Sequence, residues 1–183
     1  MRYLVLDLEC TCWPKNDPNR QKHEIIEIGA VLLNENYNYV EEFTQFVKPF
    51  NNPTLTKYCT DLTSITQKDI DSAPTLREAV DRLKKWMISS KGVVFCSWGY
   101  FDKEQLFDEC NLSLIDYPFD DKHINIKEYF SKIMHRKKRT GLQKALRILD
   151  IQFEGTPHRA VFDALMTAKV FKIIMNKERK NDC

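Results

Sequence analysis

The chain of 183 residues lacks any apolar run approaching the ~20 residues of a membrane span, so no membrane segment is expected. It has no internal repeat, no low-complexity stretch and no linker. That leaves one domain, read over residues 1–176, with a short charged tail at 177–183. The opening MRYLVLDLEC meets acidic groups after a very short apolar run, unlike a signal peptide. Six cysteines, at positions 10, 12, 59, 96, 110 and 183, lack the regular spacing of a disulfide framework. Reduced thiols in an intracellular, cytoplasmic setting are the expectation. Cys10 and Cys12 are followed by no second close Cys or His pair, so they read as buried, inert thiols rather than zinc ligands. Nor is one sign of charge in large excess: 28 basic residues face 26 acidic ones, which neither demands nor forbids a polyanionic partner.

What is present begins with RYLVLDL, a buried strand with Leu4, Leu6 and Leu8 on one face and Tyr3 and Val5 on the other until Asp7 interrupts it. TCWPKNDPNRQK reads as a loop, EIIEIGAVLLN as a second strand and YVEEFTQFVKP as a third, which suggests an antiparallel meander. A short helix is expected around LTSITQKDI. TLREAVDRLKKWM is a helix by its apolar spacing, with Thr75 and Glu78 in a capping-box pattern at its start. GVVFCSW is another strand, followed by a helix from about Asp102 to Cys110; HINIKEYF is a strand running into a helix. GLQKALRIL and HRAVFDALMTAKVFKIIM complete the helices. A meander followed by alternating strands and helices argues an α/β domain with a mixed sheet, whose ligands gather beyond the carboxyl ends of the strands.

Asp7 and Glu9 lie at such an end. Two apart on a strand, they face the same side, roughly 6 to 7 Å apart. Asp102 follows the glycine turn of SWGYFD, and His158 and Asp163 occur in GTPHRAVFDA. Five residues on a helix subtend about 500°, so His158 and Asp163 share no helical face. If Pro157 starts the helix and His158 sits at its edge, the ring can swing beside Asp163. Carboxylates about 4 Å apart repel by on the order of 4 kcal/mol at an effective dielectric near 20. Either some hold protons or divalent cations sit among them. Oxygen donors select hard ions such as Mg²⁺ or Mn²⁺, and one neutral His beside them fits two-metal phosphodiester hydrolysis.

The order DLE, WGYFD and HRAVFD resembles the DEDDh branch of 3'-5' exonucleases over nearly the whole chain. LDLECTCW, HEIIEIGAVLLN, LTSITQKDIDSAPT, GLQKAL and FEGTPHRAVFDA look like its enhanced-RNA-interference and KapD-like subfamily. The resemblance implies a ribonuclease H-like mixed central sheet, an antiparallel meander plus parallel strands flanked by helices. It implies two ions, Mg²⁺ or Mn²⁺, with Asp7 bridging them, Glu9 and Asp163 completing the tighter site and Asp102 holding the second. His158 would be the general base, a role suited to a side chain that titrates near neutrality. Nucleoside 5'-monophosphates would be released one at a time from the 3' end of single-stranded RNA, and of DNA too.

For substrate, the resemblance implies backbone contacts to the terminal sugar at Glu9, Cys10 and Thr11. Ile65, Trp98 and Phe101 would wall or stack the last bases; core packing stays a rival for Ile65 and Trp98. Lys137, Lys138 and Arg139 would meet phosphates unless they are simply a solvated loop. The chain departs from the family pattern at Ser64, where many relatives have Gly, and at Cys10, where they have Ala. Glu27, inside IIEIG, has no metal role in that pattern. Other readings are a catalytically weak nucleic-acid-binding or regulatory module acting through partners, and a nanoRNase or DNA-trimming enzyme. A monomer is expected, without an appended RNA-binding domain, leaving room for an unidentified protein partner.

Overall fold

The computed structural model of the protein describes residues 1–87, 92–120 and 122–181; Asp182 and Cys183, the last two positions of the expected tail, lie outside the described residues. Among the described residues a single sheet of five strands orders everything else. β1 (Arg2–Cys10) lies at its centre, with β2 (Ile25–Leu33) and β3 (Tyr39–Phe46) antiparallel on one side. On the other side β4 (Val93–Ser97) and β5 (His123–Asn125) run parallel to it, giving the order β3-β2-β1-β4-β5. This is the mixed sheet that the meander and the later strand-helix alternation imply.

The helices take sides by which face of β1 they cover. Leu4, Leu6, Leu8 and Cys10 pack into a core with Val80 and Leu83 of α3 (Leu76–Met87) and Leu106 and Cys110 of α4 (Phe101–Leu112). Tyr3 and Val5 look the other way, into a core shared with Phe130 of α5 (Ile126–Ile133), Leu146 of α6 (Leu142–Ile148) and Phe171 of α7 (Ala160–Asn181). β2 is buried along its whole length because both layers cover it. α7 continues to Asn181, through residues read from sequence as a tail. Among the described residues, no helix is long and apolar enough to cross a membrane.

Local chemistry sets the boundaries. Thr75 and Glu78 form the expected capping box at α3: the Thr75 N–H and hydroxyl both donate to Glu78 Oε2, at 2.8 and 2.9 Å. The single helix expected around LTSITQKDI is instead two, α1 (Lys57–Thr63) and α2 (Gln67–Asp71). Ser64 ends α1 in the left-handed region at φ 61°, and Thr66 opens α2 with a capping box of its own. Left-handed backbone costs a residue with a Cβ roughly 1–2 kcal/mol, so glycine would suit this position better than serine.

Gly29 lets two layers meet. A Cβ there would stand 2.1 Å from the Val161 backbone nitrogen, so the first turn of α7 rests directly on β2. Pro157 does not start that helix; it and His158 form a turn ahead of Ala160, with His158 at φ 60°.

Candidate active site

β1 carries its acids on the face where α7 begins. In the β1–β2 ladder Asp7 stands opposite Gly29 and Glu9 opposite Glu27, and the register slips between Glu9 and Cys10. Such a bulge re-aims side chains at the end of a strand. Because Gly29 admits α7 so closely, Asp163, in the first turn of that helix, comes down beside the β1 acids.

Asp102 arrives from the other side. The parallel β1–β4 pairing runs only as far as Val5 opposite Cys96. Further along β1, the Leu8 N–H donates to Asp102 Oδ1 at 3.2 Å, which fixes the first turn of α4 against the strand. His158 is held through its backbone, its N–H donating to Asp163 Oδ2 at 2.8 Å. That bond, rather than a shared helical face, brings the two together, and it supports the left-handed φ that His158 adopts.

The ligand atoms of Glu9, His158 and Asp163 lie within 4.8 Å of one another. Asp7 and Asp102 line the same cleft of about 500 Å³. Burial pushes the Glu9 carboxyl up to about 8, and the charges of Asp163, Glu27 and Asp102 add to the rise. Burial pushes Asp102 up to about 7, against the lowering effect of the Leu8 N–H. Asp7 is raised by burial and then by Asp102, Glu9, Asp163 and Glu27. Asp163 is also raised, its burial opposed by the His158 N–H. By itself the cluster thus retains protons. Carboxylate oxygens with one imidazole are the donor set of a hard divalent cation, and such a charge would relieve the same crowding. The residues present fit a divalent-cation site.

The residues expected to meet substrate divide. Trp98 and Phe101 line the cleft; Phe101 is half exposed, and Trp98 packs on Phe130 with an indole N–H that has no acceptor among the described residues. Ile65 has no exposed surface and packs with Ile26, Cys59 and Ile70, so core packing and not base contact is its role. Of Glu9, Cys10 and Thr11, only Glu9 lines the cleft. The Thr11 N–H donates to the Glu24 carbonyl and its own carbonyl hydrogen-bonds His23, while the Cys10 carbonyl accepts the Cys59 thiol. Lys138 is exposed outside the cleft lining, and Arg139 pairs with Glu128 at 3.2 Å.

The cationic wall is α6 instead, where Lys144 and Arg147 line the cleft with Gln143. Their three-residue spacing puts both on one helical face, a signal readable in GLQKALRIL. Glu27 has a role that its local sequence does not disclose. A charged residue in an otherwise apolar buried strand needs a partner, and Glu27 finds Arg159 at 2.8 Å.

A family model described as Exonuclease (RNase T) matches residues 4–171. ERI1 exoribonuclease 2 of Danio rerio is 34% identical over 194 residues, covering 94% of this chain and 34% of that protein. The 3'-5' exoribonuclease 1 of Homo sapiens is 31% identical over 175 residues, covering 91% of this chain and 50% of that protein. This chain thus spans about half the length of such relatives or less. Among solved structures, the nuclease domain of 3'hExo, a DEDDh family member bound to rAMP, superposes with a TM-score of 0.87 at 30% identity. The match covers 96% of this chain and 92% of that one.

Proposed function

The chain belongs to the exonuclease family, in its ERI1-like DEDDh branch with a ribonuclease H-like fold, and from that membership we propose that it is a 3'-5' exoribonuclease. It hydrolyses single-stranded RNA, and DNA as a secondary substrate, one nucleoside 5'-monophosphate at a time. The observation that carries this is the convergence of Glu9, His158 and Asp163 within 4.8 Å, in a cleft that Asp7 and Asp102 also line.

The family works with divalent metal ions. Asp7, Glu9, Asp102 and Asp163 would hold two of them, Mg²⁺ or Mn²⁺, which supply the positive charge that activates water and steadies the leaving oxygen. His158, exposed at the cleft mouth, accepts the proton of the attacking water at an imidazole nitrogen. Phe101 offers a face for the terminal base, and Trp98, packed on Phe130, walls the cleft beside it. Lys144 and Arg147 neutralise phosphates of the incoming strand. Gln143 and Arg147 also border an adjoining hollow of about 360 Å³, room for an upstream nucleotide. The free thiols of Cys10, Cys12, Cys59, Cys96 and Cys110 support an intracellular, cytoplasmic site of action.

A 5'-labelled single-stranded RNA incubated with Mn²⁺ or Mg²⁺ tests the proposal. It predicts a ladder shortening from the 3' end, absent with chelator and absent for Asp163→Ala; a ladder that persists in that variant removes the assigned site.

A further inference from the structure

Glu27 is fully buried on β2, two residues from Gly29 and on the same face, yet it belongs to none of the five site positions. Both of its oxygens are occupied. Oε1 accepts from Arg159 Nη2 at 2.8 Å and from the Thr44 hydroxyl at 3.3 Å. Oε2 accepts from Arg159 Nε at 3.1 Å and from the Ala160 N–H at 3.0 Å. The guanidinium also lies over the Phe46 ring, 5.1 Å from its centroid, so strands β2 and β3 both grip it. A carboxylate so engaged is a poor metal ligand, but it sits where a negative charge suits the opening of α7.

The consequence falls on the preceding residue. Positions 158, 159 and 160 are each tied down: the His158 N–H by Asp163, the Arg159 side chain by Glu27, and the Ala160 N–H by Glu27 again. The His158 side chain is itself exposed, and its backbone is in the sparsely populated left-handed region, which persists only where neighbours over-determine it. Gly29 fixes the height of the same turn above the sheet. We infer that the Glu27–Arg159 pair is a positioning device for His158, a latch between sheet and helix that sets where the imidazole stands relative to Glu9 and Asp163. The bidentate fork is what holds the turn. A lysine, with one point donor, keeps the charge and loses the orientation.

The inference rests on His158 being the general base, so the test is a double-mutant cycle, Arg159→Lys with and without His158→Ala, on a labelled RNA with Mn²⁺ at saturating and limiting substrate. Arg159→Lys alone is expected to lower kcat by about 10- to 100-fold through misplacement of the base, with KM changed by less than about twofold. In the His158→Ala background the same change is expected to alter the residual rate by less than about twofold. An equal loss in both backgrounds means that Arg159 acts through the fold or the metal site and overturns the inference, as does a near-wild-type kcat for Arg159→Lys. Full activity in His158→Ala itself removes the general-base reading, and the inference with it, so the two failures are distinct. Melting curves in assay buffer accompany each variant. Should Arg159→Lys not fold, Glu27→Gln, isosteric and uncharged, runs through the same cycle with the same expectations.

Discussion

The two faces of β1 come from one stretch of nine residues and do opposite things. Its even positions, Leu4, Leu6, Leu8 and Cys10, are apolar and buried against α3 and α4 to the end of the strand. Its odd positions start the same way, with Tyr3 and Val5 in the α5–α7 core, and then change to Asp7 and Glu9. The change comes where the covering helix begins: α7 seats its first turn on Gly29, opposite Asp7, and leaves a cleft beyond. A strand alternates its side chains regardless of what they are. One face can therefore be closed for stability while its neighbour is left short of cover and charged, the cost of the crowded acids being carried by the apolar face behind them.

Asp7 and Leu6, one on each face, should respond to substitution most differently. Asp7→Asn, nearly isosteric, should cost on the order of 10⁴-fold in the rate of RNA hydrolysis, because groups that act as a unit fail together. Its metal-free melting temperature should match or exceed that of the wild type, since an amide at this buried position cannot ionise beside Asp102, Glu9 and Asp163. Leu6→Ala, one position away on the other face, should do the reverse. Loss of a fully buried leucine costs about 3 kcal/mol by denaturant titration, while turnover per folded molecule stays within about twofold of wild type.

A pH series sharpens the difference. The folded-state values of about 8 for Glu9 and about 7 for Asp102 lie above the ordinary carboxylate range. The native state therefore holds these protons more tightly than the unfolded chain does. Their contribution is fully present below about pH 4 and is lost as pH rises towards 8. In chelator, the melting temperature of the wild type should fall across that window relative to Glu9→Gln, and Mn²⁺ should remove the difference. An unchanged gap between the two proteins from acid to neutral pH counts against the cluster's proton retention. The smallest effect is expected far from the cleft. Ser64→Gly relieves the left-handed turn between α1 and α2, and should add about 1 kcal/mol of stability without altering activity.

The features legible in the sequence are those with a local period or a local cap. The alternation of RYLVLDLEC gives both faces of β1 and Thr75 with Glu78 gives the start of α3, while Asp7, Glu9, Asp102, His158 and Asp163, which the family pattern picks out in chain order, all line one cleft. What escaped depends on partners distant in sequence. Glu27 meets Arg159 across 132 positions, a pairing that no local pattern encodes. Lys138 and Arg139 looked suited to phosphate because they are dense in charge, yet Arg139 turns to Glu128 while Lys144 and Arg147 line the cleft. Ile65 lies within LTSITQKDIDSAPT, a segment matching the family pattern, but its apolar side chain gains more in the small core with Ile26 and Ile70 than at a wet surface. The His158–Asp163 pairing was anticipated, though through a helix starting at Pro157; a backbone hydrogen bond from a left-handed residue achieves it instead.

In the proposed function, divalent cations complete the charged odd face of β1. Calorimetric titration with Mn²⁺ in the presence of a nucleoside 5'-monophosphate, on the wild type and on Asp7→Asn, tests it directly. Uptake of about two ions per wild-type chain is expected, with a clear loss of uptake in the variant. No uptake by the wild type, or equal uptake by both proteins, would contradict it.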